Sequence, residues 1–119
     1  LEPAEFHDIQ NKMDQLKPFK LPKELVAFLE GKNLYFKLPD SDFISIEFFP
    51  LIDTIPFKAG RRNLLRISKE LGEYNHLQIV WDPKSKKIGF YDIEHLELRE
   101  LGKFDEFIAD MSGQLETLF

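Results

Sequence analysis

The chain contains no cysteine. That excludes a disulfide framework and a thiolate metal site, and it fits a reducing compartment. No apolar run approaches the ~20 residues needed to cross a bilayer, and no charged-then-apolar leader opens the sequence, so a soluble cytoplasmic protein with no membrane partner is expected. The first residue is Leu1 rather than Met, which points to a processed or trimmed start. A Gly-x-Gly-x-x-Gly or Walker-type loop and a Gly-x-Ser-x-Gly elbow are both missing, which removes those routes to nucleotide binding and hydrolysis. Basic residues are in deficit, 16 against 21 acidic, for a net charge of −5. Such a balance argues against direct nucleic-acid binding and favours basic partners.

What is present is a chain of 119 residues with 43% apolar content and 12 Phe. That length suits one domain, residues 1–119, burying a single core without metals or crosslinks. The clearest local pattern runs from Leu77 to His95. Leu77, Ile79 and Trp81 alternate with Gln78 and Val80, and Ile88 and Phe90 alternate with Gly89 and Tyr91, the period of two that defines a strand. Asp82-Pro83-Lys84-Ser85-Lys86-Lys87 is the turn between them, since Asp can bond its own backbone two residues on and Pro83 removes a ladder donor. A lone hairpin is marginal in water, so the face bearing Ile79, Trp81, Ile88 and Phe90 requires more strands and helices laid over it.

The flanks supply them. Phe6, Ile9, Met13 and Leu16 predict an amphipathic helix over 4–16, ended by Pro18. A second helix begins at Leu21-Pro22-Lys23-Glu24, faces Leu25, Val26, Phe28 and Leu29 inward, and has Gly31 available for a left-handed terminus. Leu34, Phe36 and Leu38, then Ile44, Ile46 and Phe48, predict another hairpin around Pro39-Asp40-Ser41-Asp42. Residues 50–62 read as an irregular loop. Asn63 is expected to cap a third helix with Leu64, Ile67 and Leu71 inward and Gly72 at its end, the alternative being a strand from Asn63 to Ser68. Leu96 and Leu98 predict a short edge strand, and Phe104, Phe107, Ile108, Met111 and Leu115 a closing helix. The fold class is α+β, a single domain of mainly antiparallel sheet flanked by N-terminal and C-terminal helices.

Several groups invite a chemical reading. Asp40 and Asp42 resemble an Asp-x-Asp metal pair, but turn chemistry already explains both, and no metal or cofactor is expected. Asp92, Glu94 and His95 offer ligand-type atoms, yet strand geometry separates His95 from the carboxylates, and capping or an edge salt bridge is the better account. His7, His76 and His95 have no nucleophile beside them, so no catalytic residues are assigned. Lys58, Arg61, Arg62, Arg66 and Lys69 form the strongest argument for nucleic acid; against the net charge they read as a solvated helix face or a patch for acidic neighbours. The Phe residues fall mostly at core parity, a filled core being the default and a ligand pocket the minority reading.

Leu21-Pro22-x-x-Leu25-x-x-Phe28-Leu29, then Gly31-Lys32-Asn33, then Tyr91-Asp92-x-Glu94-His95 and Phe104-x-x-Phe107-Ile108, resemble in order and spacing the SUKH superfamily, the domains similar to fungal Smi/Knr cell-wall regulators. The similarity spans most of residues 20–115. It departs at Gly31-Lys32-Asn33, where many members carry Asn-Gly-Gly. The resemblance implies a non-enzymatic domain, and for bacterial members an immunity protein that binds and blocks a polymorphic or contact-dependent toxin, often a nuclease domain. An inhibitor of that kind gains from carboxylates placed where a nuclease expects phosphates. The residues suited to that role are Asp40, Asp42, Glu47 and Asp53, with Tyr35 and Phe49 as aromatic anchors on the opposite parity from Leu34 and Phe48. A regulatory or scaffolding interaction domain is one alternative, and a small-molecule-binding or hydrolytic domain using Asp92, Glu94 and His95 is another.

Overall fold

The structure is a computed structural model that describes residues 3–37, 45–73 and 75–116. In chain order these form α1 (Pro3–Leu16), a 3-10 turn at Lys17–Phe19, α2 (Lys23–Glu30), β1 (Tyr35–Lys37) and β2 (Ser45–Glu47). A 3-10 turn at Leu51–Asp53 follows, then β3 (Ile55–Ala59), β4 (Arg62–Arg66), β5 (Leu77–Asp82), β6 (Lys87–Asp92), β7 (Glu97–Gly102), α3 (Phe104–Ala109) and α4 (Met111–Glu116). Strands β3-β4-β5-β6-β7 make a five-stranded antiparallel meander, and β1-β2 a separate two-stranded sheet. The class is α+β, as expected.

The β5-β6 hairpin stands at the middle of the large sheet, in register from Leu77↔Asp92 to Asp82↔Lys87. Its turn forms as the residue chemistry dictates: Asp82 Oδ1 accepts the Lys84 N–H at 2.9 Å and the Asp82 carbonyl accepts the Lys86 N–H at 2.8 Å. Leu77, Ile79, Trp81, Ile88 and Phe90 face a core closed by Leu16, Phe19, Leu25, Leu29, Phe104, Phe107 and Leu115 from the helical segments. Each of these buried side chains contributes on the order of 1.5–3 kcal/mol. The Trp81 indole N–H would be an orphan in that core, but it donates to the Phe19 carbonyl at 2.9 Å. That carbonyl is free to accept because the 3-10 turn ends at Lys20, which takes a left-handed conformation at φ 48°.

Residues 50–72 depart from expectation. Ile55–Ala59 is a strand, and Pro56 is tolerated because β3 lies at the sheet edge, where a missing N–H faces away from β4. Gly60, at φ 64°, turns the chain into β4. The expected helix from Asn63 is β4 itself, the strand alternative. Its pattern misleads because the sheet is apolar on both faces: Leu65 and Ile67 enter the main core, while Leu64 enters a second cluster with Val80 and Tyr91. Burial of both parities erases the alternation and leaves a stripe at 64, 67 and 71 that mimics a helix. Gly72, at φ 60°, belongs to a turn and not to a helix end. Gly31 ends α2 in an extended conformation, φ −79°, not a left-handed one. Leu96 lies in a turn, exposed, with φ 56°. The closing helix is split at Asp110, whose carbonyl accepts the Gln114 N–H at 3.0 Å to open α4.

Ser68 joins the two sheets. After Ile67 donates to the Ile79 carbonyl at 3.1 Å, the ladder to β5 continues through a side chain: the Ile79 N–H donates to Ser68 Oγ at 3.0 Å. Before the backbone bonds β5 again, Leu71 N–H to Leu77 O at 3.1 Å, it pairs with the end of β2 and the residues after it, through a Phe48↔Ser68 bridge, Phe49 N–H to Ile67 O at 2.8 Å, and Lys69 N–H to Glu47 O at 2.9 Å. Ser68→Ala leaves the buried Ile79 N–H unpaired and is expected to cost about 1–3 kcal/mol in denaturant unfolding, whereas a loss near zero would mean that another acceptor replaces the hydroxyl. Gly89→Ala is expected to lower the melting temperature, because a Cβ at Gly89 would stand 2.8 Å from the Arg99 carbonyl oxygen, backbone that cannot swing away. Retained thermal stability in that variant would show that β7 can shift outward.

Candidate partner-binding groove

The small sheet displays its two parities differently. Ile46 and Phe48 are buried and Leu34 and Phe36 pack partly against the main core, so Tyr35 and Glu47 are turned outward as a cross-strand pair. Tyr35 is 63% exposed, the largest exposure of any described aromatic ring. After Phe48 the chain enters Pro50 and the 3-10 turn, which is fixed by Asp53 N–H to Pro50 O at 2.8 Å and by Thr54 Oγ1 donating to Leu51 O at 2.8 Å. This turn swings Asp53 toward Phe49. A groove of about 400 Å³ results, lined by Tyr35, Glu47, Phe49 and Asp53 together with Lys32 and Lys69. Four of the residues singled out from sequence therefore come together. Asp40 and Asp42 lie outside the described residues.

The carboxylates in this groove are accompanied by cations. Glu47 Oε2 is 2.6 Å from Lys69 Nζ, and its hydrogen bond and charge raise the Lys69 pKa. Both ends are about half exposed, so the pair contributes little to stability. Burial lowers the Lys12 pKa, an effect that the charge of Asp53 partly opposes, and Lys12 Nζ donates to the Thr54 carbonyl. The helix expected from Asn63 to Gly72 places Lys69 in the basic cluster and away from Glu47; as the residue following a strand that ends at Ser68, it falls beside Glu47. A second depression of about 370 Å³ adjoins the first through Leu34 and Pro50 and is walled by Met13, Leu29, Leu51 and Ile52. Met13 and Ile52 are each about two-fifths exposed, which extends the aromatic groove as an apolar strip.

The other sequence candidates are dispersed. Lys58, Arg61, Arg62 and Arg66 belong to the β3-β4 hairpin, not to a helix face, and Arg62 reaches Asp82 at 3.6 Å while Arg66 lies 4.4 Å over the Phe57 ring. No group of three or more His, Cys, Asp or Glu among the described residues is placed to hold a metal ion. No described helix is long and apolar enough to cross a membrane.

Asp92 ends β6 and Glu94 and His95 lie in the turn that follows, so His95 folds back toward Asp92 and is not separated from it. Asp92 Oδ1 accepts the Glu94 and His95 N–H groups at 3.0 Å, and Oδ2 meets His95 Nδ1 at 2.9 Å. Partial desolvation works against the Asp92 carboxylate, but the hydrogen bonds from His95 and Glu94 and the imidazolium charge outweigh it and hold its pKa below the usual range. The same contact, first by its hydrogen bond and then by its charge, raises the His95 pKa. A raised imidazole contributes below its unfolded pKa and loses that contribution as pH rises through the folded value, while a lowered carboxylate loses its own as pH falls. The turn is therefore tightest between the two. An NMR titration is expected to place the His95 midpoint above the ordinary imidazole value and to return it toward that value in Asp92→Asn; an unmoved midpoint would show that the contact does not persist in solution.

Compared with protein-family models, with curated proteins and with solved structures, the chain matches none.

Proposed function

We propose that this is a non-catalytic protein-binding domain of the SUKH immunity type, which binds a cognate toxin through the groove beside the small sheet and blocks it by occlusion. The observation that supports it best is the outward Tyr35, held on a rigid cross-strand pair and facing the same groove as Phe49, Glu47 and Asp53. A ring that stays exposed while its neighbours fill a core is the kind of group that anchors an interface, at about 2 kcal/mol or more when removed. The apolar strip through Leu34 and Pro50 to Ile52 lengthens the contact toward the roughly 800 Å² per partner of a standard interface. With a chain charge of −5, association with a basic toxin domain is steered and fast.

The ion pairs refine the mechanism. Glu47 and Asp53 each have a cation nearby, so a basic partner engages them by exchanging one cation for another, which gives specificity and orientation more than affinity. The affinity rests on Tyr35 and Phe49. A regulatory scaffold would use the same surface with several weak partners.

The test is a paired capture from lysate of the source cell, with the wild-type domain and a Tyr35→Ala, Phe49→Ala variant as baits, washed at low and then high salt. The expected result is one protein retained by the wild type at near-equal stoichiometry through the high-salt wash, lost by the variant, and neutralised by the wild type in a toxicity assay. Retention by both baits would remove the groove from the interface, and numerous salt-sensitive partners would favour the scaffold.

A further inference from the structure

The large sheet has a second face that, among the described residues, no helix covers. The cluster on that side consists of Leu64, Val80 and Tyr91, with Phe57, Ala59, Ile93 and Leu98 around them, all from strands and turns, whereas every helical core residue packs on the opposite side. Tyr91 meets Phe57 in a tilted ring contact at 5.1 Å between ring centres, and Arg66 closes over Phe57. Between Arg61, Arg62, Tyr91, Leu96 and Leu98 the face opens into a depression of about 320 Å³. Leu96 projects beside it, 73% exposed.

The charges on this face run against those of the chain. Arg61, Arg62, Arg66 and Lys87 outnumber Asp82 and Glu100, and both anions are already engaged, Asp82 by Arg62 and Glu100 by Lys87. Among the described residues Arg61 makes no ion pair and the buried Nε of Arg66 has no hydrogen-bond partner. A surplus of guanidinium groups set around an aromatic and aliphatic floor is matched by carboxylates alternating with apolar side chains, because the planar fork binds a carboxylate at two points. Edge addition to β3 is hindered by Pro56, which offers no N–H, so the occupant lies across the face.

We infer that the uncovered face of the five-stranded sheet is a second docking surface, which takes an extended acidic segment of a partner protein across Arg61, Arg62 and Tyr91. It is separate from the groove beside the small sheet and does not depend on the identity of the partner there. A nucleic acid is the poorer fit, since a polyanion would meet the net charge of −5 outside this patch.

The test is fluorescence anisotropy of the whole chain with a labelled peptide of about twelve residues alternating Glu and Leu, beside a Lys–Leu peptide and an oligothymidylate of similar length. Saturable binding of the Glu–Leu peptide alone is expected. Arg61→Glu should weaken it by about tenfold or more, and Lys58→Glu, an exposed cation of opposite strand parity, by less than about twofold. Amide shifts should fall on 59–66 and 91–98. Absent saturation, equal loss in both variants, tighter oligothymidylate binding, or shifts confined to the Tyr35 groove would each overturn the inference.

Discussion

A buried tryptophan that must find an acceptor organises the molecule. Trp81 is buried in the core, and its indole N–H cannot be left unpaired there. The Phe19 carbonyl satisfies it across 62 positions of sequence and thereby fixes the turn between α1 and α2 against the middle strand of the sheet. From that anchor α2 contributes Leu25 and Leu29 to the core that holds Ile79 and Phe90, and α3 and α4 add Phe104, Phe107 and Leu115. The aromatic contacts follow the same geometry: Phe28 meets Phe48 edge-on at 4.9 Å and Phe104 at 5.5 Å, so α2 is also the hinge between the small sheet and the closing helices.

The placement of the proposed groove is a consequence of one side chain's chemistry. Because the Ser68 hydroxyl takes over an acceptor position in the β4-β5 ladder, the main chain is released to pair with Phe48 and Phe49. The small sheet is thus held at the rim of the large one with one parity in the core and the other, Tyr35 and Glu47, in solvent. Ser68 bonds β5 through its hydroxyl while its neighbours Ile67 and Lys69 bond the small sheet, and that rigidity suits a surface meant to bind without rearranging.

The elements legible in the sequence were those whose pattern carries its own boundaries. The hairpin from Leu77 to Asp92 keeps its core-facing alternation and has a turn written in Asp82-Pro83, although Val80 and Tyr91 are buried on the other face, and α2 has a single stripe bounded by Pro22 and Gly31. The hairpin of β1 and β2 was legible in the same way, and with it the outward parity of Tyr35, Glu47 and Phe49. β4 was not, because Leu64 and Leu65 are both buried, on opposite faces, and no local rule separates that from a helix. β3 was hidden by Pro56, which reads as a loop signal unless the strand is known to be an edge. The meeting of Lys69 with Glu47 is a tertiary event that depends on β4 being a strand, and its absence from the sequence reading follows from that one error. The capping and the ion pair at Asp92 match the expectation, but that His95 is the partner does not follow from a strand, which would put the two on opposite sides, and follows only from the turn.

Where the partner sits distinguishes the groove from every other surface of the domain. Hydrogen–deuterium exchange of the domain alone and saturated with its captured partner would decide it. New protection confined to residues 34–37 and 45–53, with β5 and β6 as slow to exchange as before, is the expected result. A footprint elsewhere on the molecule, with those segments exchanging as in the free domain, would contradict the assignment of the groove.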